Sequence, residues 1–188
     1  MIDAEWDTPI GQSRSCGGDA LMRAEAFHSV GGFNSSMIAG EEPELCVRLR
    51  AQGWQIWRLD AEMTCHDAAI HRFGQWWRRA RRAGHAYAEG AALHGKPPER
   101  HNVAQMRRAL VWGLGIPLAA TLGAVFIRPV LLVLLLAWPI QVLRLWKRDR
   151  DLARAALLTL GKLPEALGVL EYRRKRMTKQ GSRLIEYK

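Results

Sequence analysis

Three glutamates stand together near position 42, and carboxylates are side chains that can take protons or stabilise positive charge. They are Glu41, Glu42 and Glu44, separated by Pro43. Proline suits the first turn of a helix because its missing N–H would have had no partner there. Acidic side chains in that turn complement the positive end of the helix dipole. Residue types alone therefore favour stabilisation of a helix N-terminus and leave a role in proton transfer open.

A second cluster combines arginine with tryptophan. Its members are Arg72, Gln75, Trp76, Trp77, Arg78, Arg79, Arg81 and Arg82. Guanidinium groups match phosphate oxygens in pairs. A helix rich in arginine and tryptophan is also typical of a segment that lies on a bilayer surface. The two interpretations do not exclude each other, and both stay open at this point.

The side chains that could bind metal are scattered. Cys16, Cys46 and Cys65 are an odd number at wide and irregular spacing, which fits neither a disulfide framework nor the paired ligands of a structural zinc site. We therefore expect reduced thiols in a reducing compartment. A lone histidine such as His66, at the end of a predicted strand, is more often a hydrogen-bonded structural residue than a ligand.

Short elements must position these side chains. Apolar spacing and flanking glycines predict helices over 20–30, 43–52 and 69–93, a strand over 54–59 and a linker over 94–101. Asp19 is the predicted N-cap of the first helix. Gly31 and Gly32 can adopt positive φ and should end it.

Charge divides the chain into two halves. Residues 1–70 carry five Lys or Arg against eleven Asp or Glu, a net charge of −6, whereas residues 71–188 carry twenty-three against seven, a net charge of +16. A basic half of this kind meets a polyanion, which is either nucleic acid or the anionic face of a membrane. The apolar segments decide for the membrane, because a nucleic-acid-binding module does not explain them.

The apolar segments predict a transmembrane hairpin. Nineteen uncharged residues, 109–127, would span about 28 Å as a helix, close to the hydrocarbon thickness of a bilayer. A second apolar run covers 130–143, and the predicted hairpin covers 107–146. Basic residues flank both outer ends while Arg128 stands alone in the turn, so both ends should be cytoplasmic. A buried helical hairpin in a soluble protein is the alternative.

The last part of the chain predicts an amphipathic helix with a basic tail. Leucines and alanines over 151–172 are spaced so that the polar residues lie largely on one side of a helix, which is typical of a helix in the plane of the membrane interface; Pro164 would bend it. The basic cluster over 173–176 would meet anionic headgroups. A solvated basic tail is the alternative.

The motifs, taken in order, resemble the second half of the family-2 glycosyltransferases. They are Gly17-Gly18-Asp19, Gly31-Gly32-Phe33, Gly40-Glu41-Glu42-Pro43-Glu44, Gly53-Trp54, His66-Asp67 and Gln75-Trp76-Trp77-Arg78-Arg79. The resemblance implies an α/β fold: residues 1–100 form an incomplete GT-A (Rossmann-like) domain, followed by the hairpin over 107–146 and the amphipathic helix and tail over 147–188. It also implies an inverting transfer of a sugar from a nucleotide-sugar donor.

Several residue roles follow from the resemblance. The family's acidic pair is usually Glu-Asp with the second carboxylate as general base, which implies Glu42 as the base and Glu41 as its supporter. Gln75, Arg78 and Arg79 resemble the QxxRW motif that holds the donor diphosphate, with Arg79 in the place of the tryptophan. A further set, which would form the acceptor-side loop, is Gly18, Asp19 and Glu44.

The resemblance also implies a divalent cation, Mn²⁺ or Mg²⁺, with His66 as a tentative ligand. The family's DxD motif is missing from its expected place, since no Asp-x-Asp stands upstream of Glu42, so we expect a truncated chain that is inactive alone. The implied partners are the sugar donor, a lipid-linked or glycan acceptor and membrane lipids, without nucleic acid. The implied location is a bacterial inner membrane, crossed more than once, with the soluble part and both termini cytoplasmic. A non-enzymatic, membrane-anchored fragment or interaction protein is the alternative.

Overall fold

Helices dominate the computed structural model, which describes residues 9–61 and 69–178. In chain order the described elements are β1 (Gly11–Ser13), α1 (Ala24–Ser29), α2 (Glu41–Ala51), β2 (Ile56–Arg58), α3 (Phe73–His94), α4 (Val103–Leu110), α5 (Ile116–Phe126), α6 (Ala137–Asp149), α7 (Leu152–Leu160) and α8 (Lys162–Met177). A π-helical turn, Val111–Gly115, joins α4 to α5, and a 3₁₀ segment, Pro129–Leu136, precedes α6.

The N-terminal part is organised around α1, α2 and a two-stranded antiparallel sheet. Strands β1 and β2 pair with Gly11 opposite Arg58. Buried Ala26, Leu45 and Leu49 form the apolar core between the helices. Within 9–61 and 69–178 these two strands are the whole of the sheet structure, so the GT-A assignment stays a prediction.

The first helix is shorter than predicted. It begins at Ala24 with Arg23 as its N-cap, so the prediction that Asp19 caps it is wrong. Residues 20–23 are not helical, and Met22 packs against the apolar core from this non-helical segment. Tertiary packing here outweighs the local helical pattern. The glycine stop is confirmed, because Gly31 and Gly32 have φ of 76° and 71°.

Two helical segments form the predicted hairpin. Val103–Phe126 and Pro129–Asp149 are each long and apolar enough to cross a membrane. The apolar window of the second segment has no buried residue, and Val125 and Phe126 at the end of the first are 75% and 78% exposed. Segments this apolar would expose a large hydrophobic surface to water, which supports membrane association.

Helix α8 differs from the predicted interfacial helix. The expected single bent helix is two helices, α7 and α8, that separate at Gly161. Helix α8 folds back onto α3 and α4, where Val169 joins buried Ala88 and Ala109 in a second apolar core. The basic cluster over 173–176 lies within α8 and is not a separate tail. Residues 179–188 lie outside the described residues.

Glycine makes the contact between α3 and α8 possible. A Cβ added at Gly84 of α3 would lie 2.6 Å from the carbonyl carbon of Glu165 in α8. A Cβ at Gly168 of α8 would lie 2.7 Å from the backbone nitrogen of His85. The two backbones therefore approach more closely than any residue with a side chain would allow at these positions. This small-residue contact gives α8 a buried face that its own sequence does not reveal.

Candidate functional site

The acidic pair stands at the N-terminus of α2. Gly40 precedes it with a left-handed φ of 80°, and no side chain caps the helix. Glu41 and Glu42 therefore lie in the first turn, where unpaired backbone N–H groups favour negative charge. One carboxylate oxygen of Glu41, Oε2, is buried without a hydrogen-bond partner. A buried carboxylate oxygen without a partner is costly, and a hydrogen-bond donor on a bound molecule would offset that cost.

Two cavities reach the acidic pair. The first is lined in part by Arg79 and Arg82, and we call it the arginine cavity. It has a volume of about 430 Å³. The start of α2, the face of α3 and the junction of α7 with α8 enclose it. Its charged lining residues are Glu41, Glu42, Arg79, Arg82 and Glu165, and its larger apolar ones are Trp76, Leu157 and Leu158. The cavity therefore has a polar wall and an apolar wall, and the apolar wall includes α7, which follows the hairpin.

A second cavity, which we call the loop cavity, also reaches the acidic pair. It has a volume of about 610 Å³. Its lining residues come from the segments before α1 and before α2: Gly17, Gly18, Ala20, Met22, Phe33, Asn34, Ser35, Met37, Glu41 and Glu42. Glu41 and Glu42 are thus shared by both cavities. The carboxylates lie where molecules in the two cavities would meet.

Burial makes Glu42 a stronger base than an ordinary glutamate. Partial burial raises the pKa of Glu42, and the neighbouring charge of Glu41 raises it further. The guanidinium of Arg82 acts in the opposite direction on the same pKa. A carboxylate with a raised pKa accepts a proton more readily, which is the property that a general base needs. The environment of Glu42 suits that role, whereas a simple helix-capping acid would have a lowered pKa.

The residues of the QxxRW-like motif do not all meet the acidic pair. Gln75 Oε1 accepts hydrogen bonds from the backbone N–H groups of His71 and Arg72, each at 3.0 Å, so this side chain stabilises the start of α3. Arg78 is exposed and lies outside both cavity linings. Arg79 lines the arginine cavity. The structure therefore brings Arg79 to Glu42 and leaves Gln75 and Arg78 apart from it.

Arg82 is the site residue that the sequence motif missed. It lines the arginine cavity and interacts electrostatically with Glu42. The available signal was helical spacing, because Arg82 follows Arg79 by three residues and such residues share one face of a helix.

The three residues predicted for an acceptor-side loop do not lie together. An added Cβ at Gly18 would lie 3.6 Å from Glu42 Oε1, so this loop touches the proposed base. Asp19, next to Gly18, is exposed. Glu44, however, is 2% exposed and lies within α2, outside both cavity linings.

Glu44 belongs to an ion-pair network that joins α2 to α3. Its carboxylate accepts hydrogen bonds from Arg48 at 2.7 Å, and His94 Nε2 lies 2.8 Å from Glu44 Oε1. Burial opposes ionisation of Glu44, but the hydrogen bonds from Arg48 and His94 prevail and lower its pKa. Arg48 also donates to the carbonyl oxygens of Val30 and Gly32. Glu44 therefore holds α2 against the end of α3 and, through Arg48, against the segment after α1.

The predicted metal ligand cannot be placed. His66 lies outside the described residues. Within 9–61 and 69–178, no three His, Cys, Asp or Glu side chains are grouped so that they could hold a metal ion.

The comparison with curated proteins gives one partial relative. Over 51 residues the chain is 43% identical to the succinoglycan biosynthesis protein ExoA of Rhizobium meliloti (strain 1021). The matched stretch is 27% of this chain and spans 16% of that protein's length. This similarity supports a relationship with glycosyltransferases, as the motifs predicted. No protein-family model and no solved structure matches the chain.

Proposed function

We propose that the chain supplies the acceptor-side part of a family-2 glycosyltransferase at the cytoplasmic face of a membrane, with Glu42 as general base. The observation that carries the proposal is that Glu41 and Glu42 line two cavities, one of which also contains Arg79 and Arg82. A transferase needs such a junction because donor and acceptor must meet at one basic group.

The chemistry assigned to Glu42 is activation of a hydroxyl group. A sugar hydroxyl is a poor nucleophile until a carboxylate takes its proton. As the acceptor oxygen bonds to the anomeric carbon of the donor sugar, its proton passes to Glu42. The bond from that carbon to the diphosphate breaks, and the nucleoside diphosphate leaves with the electron pair. Direct displacement of this kind inverts the anomeric configuration.

Arg79 and Arg82 are the residues that we assign to the leaving diphosphate. Guanidinium groups pair with phosphate oxygens through two parallel hydrogen bonds. Both arginines line the same cavity as Glu42. Their positive charges would therefore stabilise the negative charge that develops on the leaving diphosphate. Because Gln75 caps α3 and Arg78 is exposed, we give these two residues supporting roles only.

The divalent cation implied by the family stays a prediction. Among the described residues no three possible ligands are grouped, and Glu165, the third carboxylate of the arginine cavity, lies 2.7 Å from the ammonium group of Lys162. The roles above are therefore assigned only to side chains of this chain.

The hairpin would place this site against lipid. The exposed apolar segments support membrane association, and the basic residues that flank both outer ends favour cytoplasmic termini. Leu157 and Leu158 form part of the wall of the arginine cavity. An amphiphilic, lipid-linked acceptor could therefore contact this apolar wall while its sugar reaches Glu42.

Glycosyl transfer by two proteins would test the proposal. One is the chain alone in detergent micelles, and the other is the chain preceded by a nucleotide-binding half that carries a DxD motif. We expect the joined protein to transfer a radiolabelled sugar from a nucleotide-sugar to extracted membrane lipids. Glu42→Gln should lower that rate by about 10²-fold or more, the usual contribution of a general base. The control is Glu25→Gln, which changes an exposed acid in α1.

Two results would overturn the assignments. Normal turnover by the Glu42→Gln variant would remove Glu42 as the base. Loss of transfer to the same extent in Glu25→Gln would show that the effect is general and does not report on the site.

A further inference from the structure

Two thiols meet beside the acidic pair although thirty residues separate them in sequence. The sulfur atoms of Cys16 and Cys46 lie 3.5 Å apart, within hydrogen-bond distance for sulfur, and both are free thiols. Cys46 is completely buried in α2, one helical turn after Glu42, and Cys16 is half-buried in the segment before α1. Neither residue has a role in the proposed glycosyl transfer.

The contact changes the acidity of the thiols. The hydrogen bond from Cys16 lowers the pKa of Cys46 to about 7, although burial acts against this, and Arg50 contributes in the same direction. The same hydrogen bond raises the pKa of Cys16. Near neutral pH Cys46 is therefore partly ionised, and its thiolate is hydrogen-bonded to the thiol of Cys16. A thiolate is the nucleophilic form of cysteine.

We propose that Cys16 and Cys46 are an oxidation site that closes to an intramolecular disulfide. An S–S bond is about 2.05 Å long, so the sulfur atoms must approach by roughly 1.5 Å. Cys16 belongs to a non-helical segment and can move, while Cys46 is held in place by α2.

The oxidant that the proposal names is a peroxide. One sulfur, as thiolate, attacks an oxygen of the peroxide, the O–O bond breaks, and a sulfenic acid forms with release of water. The thiolate of the other cysteine then attacks this sulfur, and the S–O bond breaks with release of a second water. The two thiols lose two electrons and two protons in total, and the peroxide is reduced to two waters.

The disulfide would restrict the movement of residues that line the loop cavity. Cys16 directly precedes Gly17 and Gly18, which line that cavity together with Glu42. A covalent link from Cys16 to α2 would fix these glycines against the helix that carries the acidic pair. This consequence for activity depends on the proposed function, whereas the thiol chemistry does not.

Mass spectrometry of the full chain in detergent micelles would test the proposal. Cys65→Ser removes the third cysteine, so that two thiols remain. After treatment with hydrogen peroxide we expect the intact mass to fall by two hydrogen atoms, and both thiols to resist maleimide when the chain is then denatured without reductant. A linked peptide pair containing residues 16 and 46 should appear without reductant and vanish with it. The rate should rise with pH through about 7, where Cys46 loses its proton.

Single-cysteine variants distinguish disulfide formation by the pair from oxidation of each thiol separately. In Cys46→Ser the remaining thiol should gain oxygen atoms instead of losing hydrogen, because no resolving thiolate is present. Cys16→Ser should leave Cys46 slow to react with peroxide at neutral pH, because Cys46 then lacks the thiol hydrogen bond that lowers its pKa.

Other results would overturn the proposal. They are full maleimide labelling of both thiols after peroxide treatment, oxygen addition to each sulfur without linkage, or a cross-link between two chains. If the disulfide forms but transfer by the joined protein is unchanged, the consequence for the loop cavity is wrong. If the joined protein shows no transfer in either redox state, the proposed function fails while the oxidation site stands.

Discussion

The contact between α3 and α8 leads to a quantitative prediction for Gly84→Ala. The added Cβ would lie 2.6 Å from the carbonyl carbon of Glu165, whereas carbon atoms in contact are about 3.5 to 4.0 Å apart. The two helices must therefore separate by roughly 1 Å. Overpacking of this kind costs about 1 to 3 kcal/mol, and the upper end applies here because the opposing atom belongs to a helix backbone.

The higher helix propensity of alanine offsets part of this cost. Replacing glycine by alanine within a helix stabilises it by up to about 1 kcal/mol. The expected net loss is about 2 kcal/mol in the free energy of unfolding, or roughly a 30-fold change in the folding equilibrium. Far-ultraviolet circular dichroism during unfolding of the full chain, in one detergent throughout, would measure it.

Gly74→Ala is the matched control. Gly74 lies in the same helix, and a Cβ added there meets nothing within 4 Å. We expect this variant to be at least as stable as the unmodified chain. Equal stability of Gly84→Ala and Gly74→Ala would refute the close backbone packing of α3 against α8.

Three further predictions concern titratable groups. In the joined enzyme, kcat/KM should rise with pH with a midpoint above the ordinary pKa of glutamate, because burial raises the pKa of Glu42; a midpoint at or below that pKa would contradict this. Burial lowers the pKa of His85 to about 4 from 6.5. Between these values the unfolded chain holds a proton that the folded chain lacks, so acidification from pH 6.5 to 4 should remove about 3 kcal/mol of stability. Thermal unfolding at several pH values would measure this, and a His85→Phe variant should lose that share of the pH dependence. Glu89 accepts a hydrogen bond from the backbone N–H of Ile38, so Glu89→Ala should speed hydrogen exchange at that amide, whereas Glu89→Gln, which keeps an acceptor oxygen, should not.

Local sequence signals predicted the helices that depend on their own residues. The glycines after Val30 and the proline within the first turn of α2 act through backbone geometry, and both helix boundaries agree with the structure to within two residues. The two apolar segments were also predictable, since their length and lack of charge are sufficient.

Features that depend on contacts between distant residues could not be predicted. The buried face of α8 exists because Gly84 and Gly168 allow two backbones to approach, and a pattern within one helix does not identify its partner. The contact between Cys16 and Cys46 likewise joins residues that are thirty positions apart, and no local pattern predicts it. The motif indicated a general base at Glu42, but only the folded chain shows that Arg79 and Arg82 share its cavity.

The return of α8 to α3 limits how this protein can be shortened. A fragment that ended before Val103, chosen to discard the lipid-facing part, would also discard α8 and leave Gly84 and Ala88 on α3 uncovered. Such a fragment would be expected to aggregate, and the glutamate pair would lose the wall that α7 and α8 provide. Soluble production for crystallography is therefore better attempted by polar substitution of the outward-facing leucines than by truncation.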